Sequence, residues 1–223
     1  MAKSNKMLSQ TAYQYILDLI MTKQLLPKDK VAESSVAKQF QISRTPVRDA
    51  MQQLANEGLL EIFPNRYVQV KEYSMDDIIE IGVLRLALDT LSVKLASLFG
   101  SRVDFMKLDD IATQCEKASL EGDDQQKREL DCKFHMTLAE ITGNELLIKF
   151  QKELYLRIQY IMLCYPNTIE RETEHLRQHH KIAQALINNN LDLALELIVD
   201  HLSSFYNLSS KYPEDFFRST SRE

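Results

Sequence analysis

Five glycines, five prolines and three cysteines are all that 223 residues contain of each. With so few breakers, little interrupts long helices, and no low-complexity or repeated segment is visible. The cysteines, Cys115, Cys132 and Cys164, are odd in number and widely spaced. That argues against a disulfide framework or a cysteine-based zinc site, and points to reduced thiols in a cytoplasm. No apolar run reaches the roughly 18 residues that span a membrane. The opening stretch, MAKSNKMLSQTAYQ, is basic but lacks a hydrophobic centre, so it does not read as a signal peptide. The expectation is a cytoplasmic protein with no membrane partner.

What is present is 44% hydrophobic residues, enough for a real core, and an uneven charge. The net charge of −5 argues weakly against nucleic acid. Residues 1–71 nevertheless hold ten Lys/Arg and six Asp/Glu, a net +4, while the remainder carries −9. A small basic domain beside a larger acidic one fits DNA binding at one end only.

The basic part reads as three helices and a hairpin. Thr11 to Thr22 is a first helix, with Ala12, Tyr13, Ile16, Leu19 and Ile20 as its apolar face. Glu33 to Phe40 is a short second one. Ile42–Leu60 contains the third, with Ser43 and Thr45 as N-cap residues, Pro46 in the first turn, and Val47, Met51 and Leu54 as the buried stripe. Gly58 ends it. Arg44 and Arg48 stand four apart at its start, off that stripe, as side chains that meet phosphates and guanine edges would. Leu59–Ile62 and Tyr67–Val70 are strand-like around a tip of Pro64, Asn65 and Arg66. The sum is a winged helix-turn-helix over residues 1–72.

Residues 73–223 show no strand-like alternation. Ser74 with Asp77 forms a capping box, and about six helical segments follow, dense enough in apolar positions for an all-α antiparallel bundle. Asp131 and His135 lie four apart and share a helix face. His179 stands with Leu176, Ile182, Ala183 and Leu186, and His201 with Ala194, Ile198, Leu202, Phe205 and Leu208. Three histidines and a carboxylate turned into one core are costly to bury unpaired, and a divalent metal would satisfy all four. Zinc is the first choice, with nickel, manganese or iron as alternatives. His180 sits about 100° round its helix from His179, whereas His175 shares the face of His179 and stays a rival ligand.

The N-terminal seventy residues resemble the GntR family of bacterial transcription regulators. The resemblance rests on Ser43-Arg44-Thr45-Pro46-Val47-Arg48-Asp49-Ala50 followed by Leu54, Glu57, Gly58 and Leu59. It implies that Arg44 and Arg48 read DNA, that Ser43 and Thr45 lie near phosphates, that Arg66 is the basic wing tip, and that Ser34 and Ser35 make backbone contacts. Two positions depart from the family pattern: Lys28 and Tyr67 stand where glycine is usual. The rest is similar to the FCD ligand-binding domain of the FadR subfamily, in its shorter, VanR-like group. That match rests on Arg85 with Asp89, Asp131 with His135, Gly143-Asn144, His179 before Ala185-Leu186, and His201. It implies Asp131, His135, His179 and His201 as the metal ligands, selecting His179 over its neighbours. Asp89 stands where the family commonly has Glu, a departure expected to matter little for the metal.

The reading that follows is a homodimeric regulator, a repressor as most relatives are, binding double-stranded DNA at a palindromic operator. A small carboxylic acid is the expected effector at the metal, with Arg85, Arg157 and Tyr160 as candidates to grip it. The alternatives are a regulator for which the metal itself is the signal, a purely structural metal, and a metal-dependent hydrolase.

Overall fold

A computed structural model of the chain describes residues 2–165, 169–213 and 216–217, with side chains from residue 5 and, in the second stretch, from residue 176. Two compact units appear, Met1–Tyr73 and Ser74–Glu223. No described helix is long and apolar enough to cross a membrane.

The first unit begins with α1, Ala2–Met21, which starts nine residues before the expected Thr11. No glycine or proline stands in that stretch, so the helix continues, and the Thr11 hydroxyl donates to the Met7 carbonyl at 3.0 Å. Helices α2 (Glu33–Phe40) and α3 (Arg44–Asn56) meet at Gln41, whose left-handed conformation makes the tight turn. Val47, Met51 and Leu54 are fully buried, as are Ile16 and Ile20 on α1, the helix packed along α3. Helix α3 stops at Gly58, φ 85°. There the Leu59 N–H reaches back to the Leu54 carbonyl (2.9 Å) and the Gly58 N–H to Ala55 (3.0 Å), a pairing that a side chain at φ > 0 would strain.

Strands β1 (Leu60–Phe63) and β2 (Tyr67–Val70) form the wing, antiparallel, with Leu60 opposite Val70 and Phe63 opposite Tyr67. The turn's left-handed residue is Asn65 (φ 57°), after Pro64, and the Arg66 N–H donates to the Phe63 carbonyl at 3.1 Å. Tyr67 therefore needs no glycine: it is an ordinary strand residue. Its ring packs on Phe63 and carries the Lys30 ammonium 4.5 Å from its centroid. Lys28 is different, since it adopts φ 73° where a glycine would do so without strain.

The second unit comprises α4 (Met75–Phe99), α5 (Arg102–Leu120), α6 (Asp124–Ile141), α7 (Glu145–Cys164), α8 (Ile169–Ile187) and α9 (Leu191–Phe205), then a short 3₁₀ turn, Leu208–Ser210. The Ser74–Asp77 capping box is present, and Ser101–Asp104 repeats it on α5. Helix α5 packs on α6 and α8, α4 on α9 and α6, and α8 on α9. The seam between α4 and α9 is close because Gly82 has no side chain. A Cβ there would come within 2.5 Å of the Tyr206 Cβ and Cγ.

Gly82→Ala should therefore lower the unfolding free energy by about 1–3 kcal/mol through overpacking. Urea denaturation of the full chain measures this, and an unchanged midpoint would show that Tyr206 can move at no cost.

Candidate metal centre and nucleic-acid interface

The second unit buries an unusual amount of charge. Arg85, Asp89, Asp131, His135, His179 and His201 are each at most 2% exposed. Helix spacing explains four of these six: Asp131 and His135 share one face of α6, and Arg85 and Asp89 one face of α4. The other two histidines come from the apolar sides of α8 and α9. Among the described residues, Asp131, His135, His179 and His201 form one group whose ligand atoms all lie within 4.8 Å of one another. His135 Nε2 is 3.3 Å from both His179 Nε2 and His201 Nε2, and His179 Nε2 is 3.5 Å from Asp131 Oδ1.

Two of the three imidazoles are held with Nε2 turned inward. His135 Nδ1 lies 3.0 Å from Asp89 Oδ2, off the ideal hydrogen-bond line, so the carboxylate acts chiefly as a charge that keeps the proton on Nδ1. His201 Nδ1 lies 3.2 Å from the Gln178 amide oxygen, again a partner for Nδ1–H. The Nε2 lone pairs of His135 and His201 then face each other at 3.3 Å. Imidazoles bound at ~2.0–2.1 Å to one tetrahedral ion have their nitrogens about 3.3–3.4 Å apart. The donor set thus fits a divalent metal. His179 is braced by the Phe134 ring, 4.4 Å between centroids.

Around these ligands lies a second ring of contacts. Arg85 Nη2 is 3.6 Å from Asp131 Oδ2, its Nε is 3.5 Å from Asp89 Oδ2, and its Nη1 donates to the Tyr206 hydroxyl at 2.9 Å. Burial opposes the guanidinium's charge, but Tyr206, Asp131 and Asp89 more than offset this and raise its pKa. Burial also pushes the Tyr206 hydroxyl up to about 12, against the lowering pull of Arg85. The Gln151 amide donates to Asp89 Oδ1 at 2.6 Å. Asp89 therefore meets Arg85, His135 and Gln151 at once. Gln151, Gln178 and Tyr206 were not singled out in the sequence at all.

His180 points elsewhere. Its Nδ1 lies 2.9 Å from Asp109 Oδ1 and its Nε2 3.5 Å from Glu116 Oε2, both on α5. The side chain of His175 lies outside the described residues. Of the three effector candidates, Arg85 joins the cluster. Beside it is a void of about 10 Å³, room for about one water, lined by Arg85, Cys132, His135, Gln151, Tyr155 and Ile158 among others. Tyr160 is buried and Arg157 half-buried, but both sit about 100–180° round α7 from Gln151, Tyr155 and Ile158.

In the first unit, a groove of about 640 Å³ gathers side chains from α2, α3 and the wing. Ser34, Arg44, Arg48 and Arg66 line it, together with Lys30 and Glu33. Ser35, Ser43 and Thr45 are exposed beside it. Ser43 is the N-cap residue of α3 in extended conformation, but its side chain makes no capping hydrogen bond. Its hydroxyl stands with the helix N-terminus, a favourable place for a phosphate. Arg48 is engaged: its Nε donates to Glu33 Oε2 at 2.8 Å, an ion pair about two-thirds exposed on the arginine side. Such a pair is worth roughly 0–1 kcal/mol and leaves both Nη groups for other acceptors.

Comparison with known proteins gives two family matches. Residues 8–70 match the gntR family of bacterial regulatory proteins, and residues 80–204 match the FCD domain. An HTH-type transcriptional regulator in the TAR-I ttuE-ttuC' intergenic region of Agrobacterium vitis is 32% identical, over 57% of this chain and 77% of that protein. The HTH-type transcriptional repressor RspR of Escherichia coli is 26% identical, over 87% of this chain and 85% of its own length. The solved structure of E. coli McbR/YncC has the same fold, with a TM-score of 0.71 at 20% identity, covering 92% of this chain and 98% of that one.

Arg85 is a cation shared by Asp89 and Asp131, so its loss removes a compensating charge from two buried carboxylates. In chelated protein, Arg85→Met is expected to lose about 3–5 kcal/mol of unfolding free energy. A loss below about 1 kcal/mol would mean that the carboxylates do not depend on it.

Proposed function

The chain belongs to the GntR family of bacterial regulatory proteins and carries an FCD domain, and from that premise we propose a metal-containing, ligand-responsive repressor acting on a palindromic operator as a cytoplasmic homodimer. It is a transcription regulator and not an enzyme, as its relatives and fold are. The hydrolase alternative is set aside on that ground. The repressor assignment follows the similarity to the transcriptional repressor RspR.

The observation that carries the metal reading is the convergence of three Nε2 atoms, with 3.3 Å between neighbours, beside the Asp131 carboxylate. Asp131, His135, His179 and His201 would hold the ion, with zinc first and nickel, manganese or iron as alternatives. When bound, the ion supplies positive charge to a buried group that otherwise has two carboxylates to one arginine. A small carboxylic acid fits as effector because a carboxylate can complete a coordination sphere, with Arg85, Arg157 and Tyr160 as the side chains proposed to receive it. The tightness of the void beside Arg85 favours a second reading, in which the metal alone is the signal.

For DNA, support comes from one groove holding Arg44, Arg48, Arg66 and Ser34, with Ser35, Ser43 and Thr45 at its margin. Two such units related by a two-fold axis would read two half-sites.

Metal analysis of the purified chain tests the centre. One divalent ion per chain is expected, and His179→Ala and His201→Ala should each lose it. Unchanged stoichiometry in both variants would end the assignment. For the interface, Arg44→Ala should weaken operator binding by about 1–3 kcal/mol and relax the preference at one position of each half-site. A binding-site selection returning the same motif for both proteins would remove Arg44 from the reading set.

A further inference from the structure

Beyond α9 the chain folds back on itself. Asn207, in left-handed conformation (φ 53°), follows the helix's C-cap residue Tyr206 and leads into the turn Leu208–Ser210. The Tyr212 N–H then donates to the Leu208 carbonyl at 3.0 Å, and the Lys211 ammonium lies 3.4 Å from Asp76 Oδ1 on α4. This course brings Tyr212 and Phe217 to the same place as Asp200, Ser203 and Ser204 of α9, and together they enclose a pocket of about 400 Å³. Gln178 of α8 is part of its wall. Small-molecule sites run from roughly 300 to 1,000 Å³.

The lining selects a cation. Among the described residues around the pocket, Asp200 brings a charge, and no lysine, arginine or histidine accompanies it. The Tyr212 and Phe217 rings stand edge to face, 5.3 Å between centroids and 68° between planes. Aromatic faces attract an ammonium group through their quadrupole. Ser203, Ser204 and Asn207 add oxygens that accept from its N–H groups or from a neighbouring hydroxyl. A carboxylic acid would instead meet Asp200 as a like charge.

We propose that this pocket binds a small organic ammonium compound, held by Asp200 against the Tyr212 and Phe217 rings, and that Gln178 couples it to the metal centre. The Gln178 amide oxygen accepts from His201 Nδ1–H at 3.2 Å while the side chain lines the pocket. A cation that draws this oxygen to itself takes a partner from His201 and loosens the orientation of its Nε2. Metal and ammonium compound then oppose each other, each weakening the other by the same factor. The site stands independently of the metal reading; the coupling rests on it.

Isothermal titration calorimetry of the chelated full chain with choline and with ethanolamine tests the site. The control is choline's uncharged tert-butyl analogue, in which carbon replaces the nitrogen. At least one of the two cations should bind with a dissociation constant below about 1 mM. The uncharged analogue should bind about tenfold more weakly or worse. Asp200→Asn should weaken the cation about tenfold and Tyr212→Leu about fivefold, with helix content by circular dichroism unchanged. No binding of either cation up to about 10 mM would overturn the site. Equal binding of the analogue, or indifference to both substitutions, would overturn its assignment to ammonium compounds. For the coupling, zinc affinity measured against a chromophoric chelator should fall about fivefold or more at saturating cation, and the fall should vanish in Gln178→Leu. An unchanged zinc affinity would overturn the coupling and leave the site. A chain that takes up no divalent ion would overturn the metal reading and the coupling together, while the titration of chelated protein still decides the site.

Discussion

Two carboxylates and one guanidinium, all essentially out of water, set the terms for the helical unit. Asp89 and Asp131 carry a formal −2 against +1 on Arg85, and three imidazoles converge on the same spot. An isolated buried charge costs several kcal/mol, so each member must be matched from another helix. Arg85 reaches from α4 to Asp131 on α6 and to Tyr206 after α9, Asp89 reaches His135 on α6 and Gln151 on α7, and Gln178 on α8 reaches His201 on α9. Five of the six helices are therefore tied to one polar knot. Gly82 belongs to the same constraint, because it lets Tyr206 close enough for its hydroxyl to meet Arg85.

How much of this could be read from the sequence depended on whether a feature is local. The Asp131–His135 spacing, the Ser74–Asp77 box and the stripe of Val47, Met51 and Leu54 are periodicities, and periodicity survives without coordinates. His179 and His201 could be placed on apolar faces, although only the resemblance chose His179 among its neighbours. Asp89 entered only beside Arg85 in the family resemblance, and its contact with His135 depends on how α4 is rotated against α6. Gln151, Gln178 and Tyr206 are polar or amphipathic residues of no distinctive spacing, and only helix packing gives them a role. The early start of α1 was missed because its first nine residues have no apolar face, although nothing in them stops a helix.

The basic unit follows a different logic, since its side chains stay exposed. What the fold supplies there is placement: Gln41 and Asn65 in left-handed turns, and Lys30 bridged to Gln69, bring α2, α3 and the wing tip to one groove. Tyr67, in place of glycine, gives Lys30 an aromatic surface to rest on. Arg48 is held by Glu33 from α2, so the arginine arrives with its fork partly oriented, at the cost of a carboxylate near any incoming phosphate.

Switching, on the proposed reading, requires a ligand whose affinity differs between two arrangements of the protein; tight binding alone shifts nothing. The knot offers one place where such a difference can arise. The chain enters the helical unit through α4, which carries Arg85 and Asp89 on its buried face. An ion that drew in Asp131 and His135 would act on the same two side chains whose other atoms Arg85 and Asp89 contact. An acid that competes with Asp131 for Arg85 acts on α4 directly. The void beside Arg85 holds about one water, so an organic acid could occupy that void only by separating the α4, α6 and α7 side chains that line it. A metal alone needs no such separation. Typical coupling of 1–3 kcal/mol is comparable to one or two of the contacts involved, so displacement of a single partner of Arg85 is enough to account for it.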